Sequence, residues 1–218
     1  MTTAAERRER LAQARLYLVA DGGMEDAALD AALGGGVDMV QLRDPALDDD
    51  ALLARAKAWR AICDKHGALL WVTDRPDLAR RAGADGVHVG QDDMPVAAAR
   101  EAAGPELLVG LSTHNLEQLV IGIEAAADQL SVGPVWETPT KPGRPAAGLE
   151  YVHAAAQLRP SQPWFAIGGI DGGNVDEVAA AGAERVVVAR AIREAADPGA
   201  AAAFLRAGLE ETSLGAAQ

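Results

Sequence analysis

A single cysteine, Cys63, in 218 residues excludes an intrachain disulfide and fits a reducing compartment. Its place in a helical apolar pattern reads as an inert thiol. Cations are scarce: 20 Lys and Arg face 32 Asp and Glu, for a net charge of −12. A pI near 4.7 argues against a surface for nucleic acid or for an anionic membrane, since both need clustered cations. Any anionic ligand must be held by local cations, a metal or backbone dipoles. Long apolar runs are missing too, so no segment can span a bilayer, and the first fifteen residues lack the apolar centre of a signal peptide. These absences together lead us to expect a cytoplasmic protein. There is no linker and no obvious nucleophile triad.

What the chain does have is 49% hydrophobic residues, enough for a sizeable core, and a repeating strand-then-helix rhythm. Short apolar runs at 16–20, 39–42, 69–72, 86–89, 107–111, 130–132, 164–167 and 185–189 read as strands. Each is followed by a helical pattern, at about 24–33, 48–66, 76–81, 95–104, 115–127, 149–158, 174–181 and 198–209. Three aspartates open the second of these helices and Gly67 follows its end, as dipole and C-cap preferences favour. Eight such units with no break predict one (β/α)₈ TIM barrel over 1–218, with a polar leader at about 1–14 and a frayed tail at about 211–218. The segments Gly83-Ala84-Asp85 and Gly182-Ala183-Glu184 mark tight helix-to-strand turns at the other end of the barrel.

In such a barrel the ligand face lies at the C-terminal ends of the strands. The segment Gly133 to Gly143 holds three prolines and ends in glycine on both sides, so it cannot continue as strand or helix. It is a stiff loop, and Thr138, Thr140 and Lys141 on it suit phosphate oxygens. Ordinary turn chemistry is the competing explanation. Asp74 and Asp93 leave adjacent strands on the same face, and two converging carboxylates repel unless a cation lies between them. Hard oxygen ligands without cysteine point to Mg²⁺, with Arg43, Lys141 and Ser112 opposite. Each aspartate alone could instead cap the helix that follows it. Gly168-Gly169 removes two β-carbons, so backbone N–H groups there could approach a phosphate, or the strand end could simply be crowded. Two anion sites on one face suit two phosphorylated ligands.

The ordered segments Gln41-Leu42-Arg43, Thr73-Asp74-Arg75, His88 to Asp93, Gly110 to His114, Gly133-Pro134, Thr138 to Lys141 and Ile167 to Ile170 resemble the motifs of the thiamine phosphate synthase family. The resemblance runs from about Leu16 to Ile192. It implies a Mg²⁺-dependent transferase that joins 4-amino-2-methyl-5-hydroxymethylpyrimidine diphosphate to 4-methyl-5-hydroxyethylthiazole phosphate. The products are thiamine phosphate and diphosphate. By position, Asp74 and Asp93 hold the metal, while Arg43, Ser112, Thr138, Thr140 and Lys141 hold the diphosphate, with Arg43, Ser112 and Lys141 assisting its departure. Gln41 contacts the pyrimidine beside Thr73. Gly168, Gly169 and the backbone of Val188, Ala189 and Arg190 hold the thiazole phosphate.

Three departures stand out. Family members carry lysine where this chain has Pro45, asparagine where it has Thr73, and often a small serine where it has Arg190. The expectation is that Arg190 or Arg144 offsets the lost lysine in part. His88 could point into the barrel and His114 could cap a helix or face the site rim. His66 and His153 read as exposed, and none of the four is assigned to catalysis. Two alternatives remain: a thiazole tautomerase-like barrel using a histidine, and a barrel that binds a phosphorylated ligand without turnover. Oligomeric state is not readable from the sequence, and a homo-oligomer is compatible with it.

Overall fold

The computed structural model describes residues 2–139 and 143–215, with 211–215 described by backbone only. Eight parallel strands close a barrel in chain order: β1 (Leu16–Ala20), β2 (Met39–Leu42), β3 (Leu69–Thr73), β4 (Gly86–Val89), β5 (Leu108–Thr113), β6 (Gln129–Val132), β7 (Trp164–Ile167) and β8 (Val186–Val188). Around it run α2 (Asp26–Gly34), α3 (Asp49–His66), α4 (Pro76–Ala82), α5 (Val96–Ala103), α6 (Leu116–Glu124), α7 (Gly148–Leu158), α8 (Val175–Ala180), the short α9 (Arg190–Arg193) and α10 (Pro198–Gly215). No described helix is long and apolar enough to cross a membrane.

Alternation along each strand sends neighbouring residues to opposite faces and so builds two cores. Leu16, Leu18, Val40, Leu70, Val87, Val109 and Leu130 pack with the helices, whereas Tyr17, Met39, Leu69, Trp71, Leu108 and Phe165 form a second cluster inside the barrel. Gly86 and Gly110 make room for the Trp71 ring, since a β-carbon at either would come within 2.8 Å of the indole.

The leader behaves differently from the sequence expectation. Residues 4–13 form a further helix, α1 (Ala4–Gln13), opened by a capping box between Thr3 and Glu6. It buries only Arg7 and Leu11, and Leu11 joins the interior cluster at the N-terminal end of the barrel. At the other terminus α10 continues as helix to Gly215, past the point where the chain was expected to fray.

Carboxylates organise the N-terminal end. Asp38, just before β2, accepts the backbone N–H groups of Arg15 and Leu16 at 2.7 and 2.9 Å. Asp85, just before β4, accepts from Leu70 N at 2.9 Å, from Arg7 Nε at 3.0 Å and from Arg60 at 2.6 Å. Asp128, just before β6, accepts from Val109 N at 2.9 Å. Each carboxylate therefore ties the start of an even-numbered strand to the start of the strand before it. That geometry leaves the C-terminal strand ends open for the site.

Candidate active site

The strand ends enclose a cavity of about 660 Å³ whose lining includes Gln41, Arg43, Thr73, Asp74, Asp93 and Ser112. Thr138, Gly168, Gly169, Val188, Ala189 and Arg190 line it as well, so the described residues singled out in the sequence come together. Thr140 and Lys141 lie outside the described residues.

Gln41 is held at both ends. The Tyr17 hydroxyl donates to its Oε1 at 2.8 Å, and its Nε2 donates to Thr73 Oγ1 at 2.7 Å. Burial raises the Tyr17 pKa well above its ordinary value, so the phenol remains a donor. Thr73 donates its own proton to Leu42 O at 3.1 Å. Its hydroxyl is thereby spent on orienting Gln41, and the amide keeps a second N–H for the cavity.

His88 turns into the barrel and is buried. Its Nδ1 lies 3.1 Å from Gln129 Oε1 and its Nε2 lies 2.9 Å from Ser112 Oγ. Gln129 Nε2 donates to Ser131 Oγ at 3.0 Å, which fixes the amide with its oxygen toward the imidazole. In the neutral ring that network makes Nδ1 the donor and Nε2 the acceptor. Ser112 is gripped a second time through its carbonyl, which accepts from Gln91 Nε2 at 2.6 Å. Sequence reasoning missed these supports, although the register pairs Gly110 with Gln129 and Ser112 with Ser131 on adjacent strands.

Asp74 follows β3 with φ 58, a left-handed conformation uncommon outside glycine, asparagine and aspartate. Its N–H donates to His88 O at 2.9 Å, tying the end of β3 to β4. Asp93 sits in the loop after β4, where its Oδ2 accepts from Gly90 N at 2.8 Å. Neither residue is the N-cap of the helix that follows: the N-caps of α4 and α5 are Arg75 and Pro95, and neither makes a side-chain cap bond. Two carboxylates from adjacent strands on one wall fit a hard divalent ion that completes its shell with water and phosphate. Among the described residues no group of three or more His, Cys, Asp or Glu side chains forms a self-sufficient metal cage.

Three arginines line the cavity. Arg43 and Arg190 form no ion pair among the described residues, while Arg144 lies 3.8 Å from Asp92. Arg190 also borders a neighbouring groove with Pro45, Pro139 and Arg43.

The loop after β6 starts with a cis Gly133-Pro134 bond and is stitched to β7, with Val135 N donating to Ile167 O and Trp136 N to Gly168 O. A β-carbon at Gly168 would fall 2.4 Å from Pro134 Cβ, and one at Gly169 2.7 Å from Trp136 Cβ. Crowding thus accounts for the paired glycines, which nevertheless border the cavity. His114 Nδ1 meets Gly133 O at 2.6 Å, and Asn115 rather than His114 caps α6. His66 is partly buried and meets Asp30 at 2.7 Å, unlike the exposed residue expected, while His153 is exposed.

The family model described as thiamine monophosphate synthase matches residues 16–192. The chain belongs to this family. The thiamine-phosphate synthase of Thermobifida fusca is 54% identical over 204 residues, covering 91% of this chain and 94% of that one. The Thermus thermophilus thiamine-phosphate synthase is 52% identical over 199 residues, 88% and 95% of the two chains. Among solved structures, the thiamine phosphate pyrophosphorylase of Pyrococcus furiosus superposes with a TM-score of 0.85 at 32% identity, covering 94% of this chain and 98% of that one. Membership in the thiamine monophosphate synthase family makes the protein a transferase of thiamine biosynthesis that acts on phosphorylated small molecules.

Proposed function

We propose that the cavity joins 4-amino-2-methyl-5-hydroxymethylpyrimidine diphosphate to 4-methyl-5-hydroxyethylthiazole phosphate, with Mg²⁺ as the assisting ion. The observation that carries this reading is one cavity wall with Asp74, Asp93, Arg43 and Ser112 and another with Gly168, Gly169 and Val188 to Arg190. The C–O bond to the pyrimidine methylene breaks first, and its electron pair leaves with diphosphate. The resulting methyl cation, stabilised by the aminopyrimidine ring, is captured by the thiazole nitrogen as the C–N bond forms. No protein nucleophile takes part.

Gln41, oriented by Tyr17 and Thr73, presents its remaining amide N–H to the pyrimidine. Asp74 and Asp93 hold the ion, which when bound neutralises charge on the departing diphosphate. Arg43 supplies fixed positive charge, and Ser112, positioned by His88, turns its hydroxyl proton from the imidazole to the diphosphate as that charge develops. Thr138, with Thr140 and Lys141 further along the same loop, completes the diphosphate clamp. The thiazole phosphate rests against Gly168, Gly169 and the backbone of Val188, Ala189 and Arg190, which aligns its ring nitrogen with the methylene.

Mixing both substrates with and without Mg²⁺ tests the assignment. Thiamine phosphate should appear only with the ion, and no product at saturating substrates would end it. The departure at Pro45 has its own test. Arg190 borders both the cavity and the groove that holds Pro45, and it offsets the absent cation. Pro45→Lys should therefore lower the KM for the pyrimidine diphosphate several-fold. An unchanged KM would refute the idea that binding here is weakened by proline.

A further inference from the structure

The N-terminal end of the barrel, opposite the active site, carries a second concavity of about 870 Å³ between α1 and the turns that precede β6, β7 and β8. In a chain of net charge −12, this groove is lined by Arg8, Arg100, Arg159 and Arg185 against only Asp128 and Glu184. Asp128 is already divided between Arg8 at 2.8 Å and Arg100 at 2.9 Å. Glu184 is divided between Arg185 at 3.4 Å and Arg15 at 3.5 Å, both long contacts. Arg159 forms no ion pair among the described residues and is exposed at the rim.

Arg185 is the under-served member. Its Nε is buried with no hydrogen-bond partner among the described residues, while Nη2 donates to Ala12 O at 3.0 Å. Burial is the main influence that lowers its pKa; Glu184 opposes that and Arg15 adds to it, so a nearby anion would favour its charged form. The remaining walls, from Pro160, Pro163, Ala126 and Trp164, offer apolar surface beside the guanidinium groups. Forked donors next to apolar walls suit a phosphate attached to a small organic body.

We propose that this groove is a second anion site that binds a small organic phosphate, separate from the catalytic cavity. The proposal does not depend on the reaction assigned above. The test titrates the full-length protein with inorganic diphosphate in metal-free buffer, followed by calorimetry and by amide and indole NMR. A saturable site is expected whose shifts fall on residues 159–164 and the Trp164 indole, whether or not the catalytic cavity also binds without metal. Arg159→Glu should weaken that site by about tenfold or more and leave thiamine phosphate turnover unchanged. Shifts confined to the catalytic cavity, or an Arg159→Glu protein that binds as the parent does, would overturn the proposal. Should that variant fold poorly, the NMR map of the unaltered protein decides alone.

Discussion

The Gln41 side chain shows how little of a proposed substrate-binding residue's behaviour belongs to that residue. Its amide is useful because Tyr17 from β1 and Thr73 from β3 hold it from two sides. Tyr17→Phe removes one donor and leaves a buried acceptor half-served, a loss of about 0.5–1.5 kcal/mol. We expect KM for the pyrimidine diphosphate to rise several-fold while kcat changes less, measured by steady-state kinetics. Asp93 is the opposite kind of residue. It is exposed, and among the described residues its carboxylate accepts from Gly90 N alone. Asp93→Ala should abolish metal-dependent turnover and leave the thermal midpoint nearly unchanged. A large fall in midpoint would instead make it a structural loop residue. Pairings of this kind explain what the sequence could not reveal. Asp74, Asp93 and Arg43 stand out in the sequence only as a group at neighbouring strand ends, since each aspartate alone also reads as a helix cap. The His88, Gln129 and Ser131 relay looks like ordinary strand composition until the register of β4, β5 and β6 brings it together.

At the scale of elements, strand positions were readable because each short apolar run gives way to glycine or to a polar or charged residue. Two helices were not. The run 4–13 reads as polar because it buries only Arg7 and Leu11, although Thr3 and Glu6 in fact spell a capping box. Helix α9 is a single turn and has no periodicity to detect. The loop after β6 was legible as stiff, but its reliance on β7 was not. Gly168 has φ 107 and no space for a β-carbon beside Pro134, so Gly168→Ala forces both strain and a clash. A loss of about 1–3 kcal/mol or more follows, and calorimetry should record a midpoint lower by several degrees. Unchanged stability would mean that the loop yields freely and is not the rigid support its hydrogen bonds indicate.

At the scale of the whole molecule, charge is distributed by task. The catalytic cavity gathers three arginines beside four aspartates, whereas at the N-terminal end the aspartates receive backbone N–H groups and arginine forks. Asp85 is the most enclosed of these, taking both Arg7 and Arg60 while nearly inaccessible to water. Removing one partner from such a cluster would strand buried charge, so the end of the barrel away from chemistry is where the fold tolerates least change.

Asp38, Asp85 and Asp128 clip β1 to β2, β3 to β4 and β5 to β6, while β7 and β8 share a register of only Ala166 with Val186 and Ile167 with Val187 and have no equivalent clip in the hydrogen bonds described. The barrel is therefore three riveted pairs and one looser seam. Native-state hydrogen exchange should find the amides of Leu16, Leu70 and Val109 among the slowest, and those of β7 and β8 opening at lower free energy. Equal protection around the ring would show that the rivets add nothing. Because the seam is also where the thiazole phosphate is proposed to rest, ligand on that side would act as the missing rivet, and occupancy would be readable as slowed exchange along β7 and β8.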